Sequence, residues 1–197
     1  MTSPMPIADL CRLAPVIPVI VIDRLADAVP LARALVEGGL PVLEVTLRTP
    51  VALDAIAAIR RDVQGAHVGV GTVLTGADID RALAAGASFA VSPGATAALL
   101  QAARDRRVPF LPGAATASEV MTLREAGFSH LKFFPAEQAG GVPALKALAG
   151  PLADVRFCPT GGVGAGNAAS YLALSNVMCV GGSWVAPAEA IRRAIED

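Results

Sequence analysis

Residues 41–48 have the sequence PVLEVTLR, and this stretch decides between the two folds that the rest of the chain allows. Polar and apolar side chains alternate along it, as along a β-strand with two different faces. One face carries the polar side chains of Glu44, Thr46 and Arg48. The other face carries the apolar side chains of Leu43, Val45 and Leu47. Burying three polar groups is costly unless they pair with one another or with a ligand, so this strand is predicted to border a site.

Candidate strands recur along the whole chain as apolar runs bounded by turn residues. They begin about every 23 residues, near Val16, Pro41, His67, Ala87, Val108, Ser129, Asp154 and Asn176. The segments between them have Ala and Leu at helical spacing and end in Gly or basic residues, as helices do. A capping box at Thr116 and Glu119 marks one helix start. Eight such strand–helix units predict one α/β domain with a parallel sheet.

Two arrangements of eight units are possible, a closed (β/α)8 barrel and an open doubly wound sheet. Central strands of an open sheet are apolar on both faces, unlike residues 41–48. The interior of a barrel opens into a pocket that accommodates a polar face. We therefore predict a compact (β/α)8 TIM barrel as a single domain over residues 1–197. A short helix at residues 6–13 caps its lower mouth in this prediction, and residues 187–197 supply a short eighth helix.

The composition excludes several classes of protein. Of 197 residues, 54% are hydrophobic and 17% charged, which excludes intrinsic disorder. A net charge of −1 offers no broad basic surface, so neither nucleic acid nor an anionic membrane is an expected partner. The most apolar stretch, residues 13–22, is about half of a transmembrane helix. With no basic-led signal peptide and three cysteines without metal-like spacing, the chain is expected to be cytoplasmic with reduced thiols.

Lys132 is the strongest candidate for chemistry, because it lies inside the apolar stretch HLKFFP at residues 130–135. An amine kept from water gives up its proton more readily, and a neutral amine attacks a carbonyl to form a Schiff base. The alternative is a lysine at a strand end whose ammonium group reaches water. Its place near the carboxyl end of the sixth strand, where barrel enzymes carry catalytic groups, favours chemistry. The other lysine, Lys146, lies on an amphipathic helix and is expected to be solvated.

Three side chains at neighbouring strand ends complete this candidate group. Glu44 is placed to act as a general base, with a purely structural salt bridge to Arg48 or Lys132 as the alternative. The guanidinium of Arg48 suits a carboxylate or phosphate of the substrate. Thr72 ends the third strand, where its hydroxyl can assist the same anion.

Two glycine clusters follow the last two strands, TGG at residues 160–162 and GGS at residues 181–183. Backbone N–H groups at such turns bind phosphate, and these two strand ends are the usual phosphate site of barrels. Ordinary turn formation is the alternative. The two histidines are isolated from each other, so no metal site is predicted. Trp184 and Tyr171 are predicted to be packing residues.

Several longer motifs occur in a family-specific order. They are VIPVI (16–20), EVTLRT (44–49), GTVL (71–74), SPG (92–94), PG (112–113), KFFPAE (132–137), FCPTGGV (157–163) and GGSW (181–184). Over residues 15–187 the sequence resembles the bacterial 2-keto-3-deoxy-6-phosphogluconate (KDPG) aldolases, which also act on 4-hydroxy-2-oxoglutarate (KHG). The chain departs from the family in a more glycine-rich loop at residues 164–166 and in a shorter C-terminus, which predicts an abbreviated eighth helix.

The resemblance implies a class I aldolase with a (β/α)8 fold, a homotrimeric state, and neither metal nor cofactor. It implies that Lys132 forms the Schiff base and that Glu44 handles protons. It assigns the substrate's pyruvoyl carboxylate to Arg48 and Thr72. The implied pocket lining is Pro93, Phe134 and Thr160, and the implied phosphate cradle is Gly161, Gly162, Gly181, Gly182 and Ser183.

The implied reaction is reversible cleavage of KDPG to pyruvate and glyceraldehyde 3-phosphate, with KHG as a further substrate that gives pyruvate and glyoxylate. One alternative is the galactonate-derived epimer, against which Thr160 in CPTGG favours the gluconate type. The others are a phosphosugar isomerase or epimerase on the same scaffold, and a non-catalytic barrel that binds a phosphosugar. A covalent pyruvate adduct on Lys132 would distinguish the aldolase from both.

Overall fold

Nine short parallel strands form the sheets of the computed structural model, which describes residues 5–186. They are β1 (Val16–Ile20), β2 (Val42–Thr46), β3 (His67–Gly71), β4 (Ala90–Val91), β5 (Phe110–Leu111), β6 (Gly113–Ala114), β7 (His130–Phe133), β8 (Arg156–Pro159) and β9 (Val180–Gly182). One sheet has the order β5-β4-β3-β2-β1-β9 and the other the order β6-β7-β8. The predicted α/β class with parallel strands is confirmed.

Helices follow the strands as predicted. They are α1 (Ile7–Leu10), α2 (Ala28–Glu37), α3 (Ala52–Asp62), α4 (Gly76–Ala84), α5 (Ala97–Asp105), α6 (Ala117–Glu125), α7 (Gly141–Ala149) and α8 (Ala168–Leu172), with a 3₁₀ turn at Leu25–Asp27. None of the helices within residues 5–186 has the length and apolar character needed to cross a membrane. The eighth helix predicted at residues 187–197 lies outside the described residues.

The predicted fifth strand is divided into β5 and β6 at Pro112. Pro112 has no N–H group for a ladder hydrogen bond, although its carbonyl accepts one from Lys132 at 2.9 Å. Residues 110–114 therefore border both sheets. At the other border, single parallel bridges pair Thr160 with Gly181 and Phe157 with Val177. The strands thus form a curled parallel arrangement, and the order over the described residues has no switch point of the doubly wound kind.

The two faces of β2 contact different parts of the core. Leu43 and Val45 pack in the large cluster between strands and helices. Val42, on the opposite face, packs in a smaller inner cluster. The members of the inner cluster are Leu10, Cys11, Ile17, Val42, Phe89, Val91, Leu111, Cys158 and Cys179. Because Leu10 and Cys11 belong to it, the segment of α1 packs at the amino ends of the strands, and its role as the cap of a closed barrel stays a prediction.

The three cysteines are free thiols and all are buried in this inner cluster. Hydrogen bonds with Cys11 and Cys158, together with burial, raise the pKa of the Cys179 thiol well above its ordinary value. The Cys179 thiol therefore behaves as a packing group rather than as a reactive thiolate, and Cys11 and Cys158 are buried beside it.

The start of α6 is fixed by the predicted capping box. Thr116 Oγ1 accepts the Glu119 N–H at 3.3 Å, and Glu119 Oε2 accepts the Thr116 N–H at 2.9 Å. We expect Thr116→Ala to lower the free energy of unfolding in urea by about 1 kcal/mol. Thr122→Ala is the matched control, since its hydroxyl donates only within the helix, to the Ser118 carbonyl. Equal losses in the two variants would contradict a capping role.

Candidate active site

A buried ion pair lies at the centre of the candidate site. Lys132 on β7 donates from Nζ to Glu44 Oε1 on β2, at 3.1 Å. The two side chains are only 6% and 4% exposed. Removing two charges from water is expensive, and their attraction offsets that cost only when the geometry is good. An ion pair buried this deeply is costly to form, so the pair between these two distant strands is a candidate for a functional site.

The position of Glu44 is set by the register of its strand and by the glycine at position 71, which has no side chain. Its neighbours in the sheet are Val19 on β1 and Gly69 on β3. Gly71, at the end of β3, gives the carboxylate its space, because a Cβ there would lie 2.7 Å from Glu44 Cγ. Substitution of Gly71 would therefore displace the glutamate from the lysine.

Phe134 connects the ion pair to the open end of the site. Lys132 Nζ lies 5.4 Å from the centre of the Phe134 ring, within the range of a cation–π interaction. The same ring lines the cavity above the pair. The amine is thus covered by an aromatic face on the side from which a substrate would approach.

Arg48 and Thr72 are brought together at the carboxyl ends of β2 and β3, as predicted. Arg48 Nε donates to Thr72 Oγ1 at 3.3 Å, and the guanidinium is exposed. Thr72 has a φ of 60°, a left-handed conformation that is rare for a β-branched residue. Such backbone strain costs on the order of 1–3 kcal/mol and is concentrated at functional sites.

A cavity opens at the same edge of the strands. Seven of the residues predicted for the site line it: Arg48, Phe134, Thr160, Gly161, Gly162, Gly182 and Ser183. Gly161 and Gly162 have φ values of 96° and 75°, which other residues rarely adopt. A Cβ on Gly162 would also lie 2.5 Å from Glu137 Cγ. Both glycines are therefore required by the shape of this loop.

Five of the predicted residues are not part of the cavity lining: Lys132, Glu44, Thr72, Pro93 and Gly181. The last two lie on segments that pack against other residues of the site. The chain at Pro93 and Gly94 packs on Gly113, where a Cβ would lie 2.7 Å from the Gly94 nitrogen. Gly113 is the register partner of Lys132, so this segment supports the lysine strand. Gly181 is buried and bridges to Thr160.

Three residues that line the cavity were not predicted from the sequence. Val19, Val21 and Val163 add apolar surface to its lining. Alternation along the first strand offered a signal for Val19, because it is two residues before Val21 and shares a strand face with it. In the folded sheet Val19 lies beside Glu44. No comparable local signal marks Val163, which lies in a loop.

Asn167 holds the glycine-rich loop that differs from the family pattern. Its Oδ1 accepts the Gly164 N–H at 2.8 Å, and its Nδ2 donates to the Gly162 carbonyl at 3.0 Å. One side chain thus ties both ends of residues 162–164 in place. Asn167 stands at the N-cap position of α8, but its side chain makes no capping hydrogen bond and serves the preceding loop instead.

The aromatic residues have the packing positions that were predicted. Trp184 packs against the hydrophobic core and lies over Gly182. Tyr171 is fully buried and also donates a hydrogen bond to Glu137. Among residues 5–186, no group of three or more His, Cys, Asp or Glu side chains is arranged to hold a metal ion.

Comparison with known proteins places these observations in a family. The model of the KDPG and KHG aldolase family matches residues 7–196. The KHG/KDPG aldolase of Escherichia coli K12 is 54% identical over 183 residues, which are 93% of this chain and 86% of the relative. A KDPG aldolase of Legionella pneumophila, solved with pyruvate captured at low pH as a covalent carbinolamine, has a TM-score of 0.94 and 49% identity, covering 97% of this chain and 93% of that one. A KDPG aldolase of Zymomonas mobilis ZM4 with 3-phosphoglycerate has a TM-score of 0.91 and 51% identity, covering 96% and 92%.

Proposed function

The chain belongs to the KDPG and KHG aldolase family, and from that premise we propose how its own residues catalyse the reaction. It is a carbon–carbon lyase that cleaves KDPG reversibly to pyruvate and glyceraldehyde 3-phosphate. In our proposal the reaction proceeds through a Schiff base on Lys132, with Glu44 transferring protons.

One observation carries this assignment, the 3.1 Å contact between Lys132 Nζ and Glu44 Oε1 in a nearly dry interior. An ammonium must lose a proton before it attacks a ketone. Glu44 is the group within hydrogen-bond distance that can accept this proton. The alternative of a purely structural pair does not account for a cavity lined by Phe134, the ring that lies over Lys132 Nζ.

The first half of the reaction joins substrate and enzyme. The neutral Lys132 amine attacks the C2 ketone of KDPG and forms a carbinolamine. Loss of water then gives an iminium, which withdraws electrons from the neighbouring carbon. Glu44 supplies the proton that the departing hydroxyl needs, having taken one from the amine.

The second half breaks the carbon chain. The electron pair of the C3–C4 bond moves into the iminium, while the proton of the C4 hydroxyl passes to Glu44, through a bridging water in our proposal. Glyceraldehyde 3-phosphate leaves, and the enamine that remains is protonated at C3. Water then hydrolyses the pyruvate imine and frees Lys132. Covalent catalysis thus replaces one difficult carbanion-forming step with several easier ones.

The two ends of the substrate are held by different parts of the cavity. Arg48 and Thr72 suit the pyruvoyl carboxylate, because a guanidinium and a hydroxyl both donate to it. The turns at Gly161–Gly162 and Gly182–Ser183 line the cavity and suit the phosphate. Pro93, Phe134, Thr160 and Gly181 complete the proposed site as supporting or lining residues. Binding at the remote phosphate orients the reacting carbons.

Trapping with borohydride tests the proposed intermediate. Incubation with pyruvate and sodium borohydride should attach one reduced pyruvate to Lys132, which peptide mass spectrometry would locate. An isomerase or epimerase, or a barrel that only binds phosphosugars, would form no such adduct and would release no pyruvate from KDPG in a coupled assay. Absence of the adduct in an active preparation would overturn the imine mechanism.

Substrate choice is the finer part of the proposal. We propose KDPG as the preferred substrate over its galactonate epimer, because Thr160 lines the cavity within the CPTGG motif. KHG is a second proposed substrate, in line with the name of the Escherichia coli relative. Comparing kcat/KM for the three compounds tests this order, and a higher value for the galactonate epimer would reverse it.

We also propose that the two sheets close into one (β/α)8 barrel and that three chains assemble in the cytoplasm. The shared segment 110–114 and the bridge between Thr160 and Gly181 support closure. The trimer and the location rest on the resemblance to the family. Light scattering during gel filtration tests the trimer, and a monomeric mass would contradict it.

A further inference from the structure

We propose that Tyr171, acting through Glu137, is a positioning residue that makes the enzyme selective for phosphorylated substrates. The inference rests on the proposed function and deepens it, since it concerns how the phosphate loop at Gly161–Gly162 is kept in shape. Neither residue lines the cavity. The sequence predicted a packing role for Tyr171 and assigned no role to Glu137.

The phosphate loop lies directly on the segment that carries Glu137. The Ala136 N–H donates to the Thr160 carbonyl at 2.8 Å, and the Glu137 N–H donates to the Gly161 carbonyl at 3.1 Å. Gly162 is so close to the stem of Glu137 that a Cβ there would lie 2.5 Å from its Cγ and 2.7 Å from its Cβ. The position of the Glu137 side chain therefore sets the position of Gly162.

Tyr171 fixes the outer end of the Glu137 side chain. Its hydroxyl donates to Glu137 Oε1, although the glutamate as a whole is exposed. The tyrosine itself is on α8 and is fully buried. Burial and the neighbouring Glu137 carboxylate raise the pKa of Tyr171, so the phenol remains a donor through the ordinary pH range.

The same helix also holds the loop from its other side. Asn167 precedes α8 and donates to the Gly162 carbonyl at 3.0 Å. Gly162 is thus contacted by Asn167, just before α8, and by the stem of Glu137, whose outer end is held by Tyr171 on α8.

Tyr171→Phe tests the proposal with minimal change of volume. We expect the KM for KDPG to rise about tenfold, in line with loss of a hydrogen bond to a charged group. We expect kcat for KDPG, and kcat/KM for KHG, to change less than about twofold, because KHG has no phosphate. Equal losses on both substrates would indicate a merely structural role, and an unchanged KM for KDPG would also overturn the proposal.

Variants of Glu137 distinguish the effect of its aliphatic stem, the Cβ and Cγ atoms beside Gly162, from the effect of its charge. Glu137→Ala should reproduce the effect of Tyr171→Phe, and the double variant should be no worse than either single one, since both break the same contact. Glu137→Gln keeps the stem and an acceptor for the hydroxyl and should restore a KM near that of the wild type. Additive losses in the double variant would contradict coupling through one contact.

Two further measurements serve as controls. One distinguishes an effect on the phosphate loop from a general loosening of α8, and the other measures phosphate binding without the reaction. Leu172→Ala, on the same helix with its side chain against the hydrophobic core, should not alter the preference for KDPG over KHG. Inorganic phosphate should raise the melting temperature of the wild type more than that of Tyr171→Phe. If the wild type cleaved neither substrate, the proposed function would fail together with this inference. If the wild type is active and Tyr171→Phe keeps its selectivity, this inference alone fails.

Discussion

Lys132→Ala is expected to lower kcat for KDPG cleavage by roughly 10⁴–10⁶-fold, the range found when a catalytic nucleophile is removed. No other lysine is available to replace it beside Glu44, because the chain has only one more lysine, on α7. That residue, Lys146, is exposed on α7 and provides the matched control. Lys146→Ala should retain wild-type kcat and should still be labelled by pyruvate and borohydride. Labelling of Lys132→Ala would place the Schiff base elsewhere.

The same substitution is expected to weaken the fold, because it leaves the Glu44 carboxylate buried without its partner. Breaking a buried ion pair in this way costs about 3–5 kcal/mol. The double variant Lys132→Met with Glu44→Gln removes both charges and should recover much of this free energy of unfolding. It should remain inactive. Recovery of stability without activity would show that the lost catalysis is chemical and not a failure to fold.

Glu44→Gln is expected to lower kcat by roughly 10²–10⁴-fold, the usual contribution of a general acid–base group. The amide can still accept a hydrogen bond from Lys132, so the lysine stays in place, but it cannot take up a proton. Pyruvate should therefore still be trapped on Lys132, more slowly than in the wild type. This separates Glu44 from Lys132, whose loss removes trapping altogether.

An exposed glutamate supplies the comparison for Glu44. Glu125→Gln, at the end of α6, changes the same group at a position open to water and should leave kcat unchanged. A Glu44→Gln variant with more than a tenth of wild-type kcat would assign this carboxylate a structural role, as the counter-ion of Lys132 alone.

The alternation along residues 41–48 was sufficient to predict which face of β2 carries the site. Period-two alternation is a property of the strand itself, so it survives folding unchanged. The structure places Leu43 and Val45 against the helices and Glu44 on the inner face beside Lys132. The partner of Glu44, in contrast, was left open between Arg48 and Lys132, because the choice depends on the curl of the sheet.

Strand boundaries were less predictable than strand existence. The last strand was expected to begin near Asn176, but β9 begins at Val180. Asn176 is instead buried with its side chain bonded to the Leu145 carbonyl, at 2.9 Å. Partners on neighbouring elements determine where a parallel strand starts, and a local apolar run carries no information about them.

The contact between Tyr171 on α8 and Glu137 could not be predicted from the sequence pattern. Tyr171 and Glu137 are separated by 34 residues, and each has an ordinary local explanation, one as a core aromatic and the other as a surface acid. Glu137 lies in the motif KFFPAE, which is part of the resemblance to the family, but the resemblance assigned it no role. Only the folded arrangement places the two side chains under the glycine loop.

The packing of Leu10 and Cys11 into the amino ends of the strands has a kinetic consequence for the proposed reaction. With that end filled, substrate and products share one passage, past Arg48 and the glycine turns. In our proposal the pyruvoyl half is held on the buried Lys132, and the phosphorylated half lies at the glycine turns that line the cavity. The aldehyde therefore departs first and pyruvate last, and in synthesis pyruvate has to enter first. The proposed order thus follows from the covalent bond to Lys132, at the inner end of a passage whose other side is filled by Leu10 and Cys11.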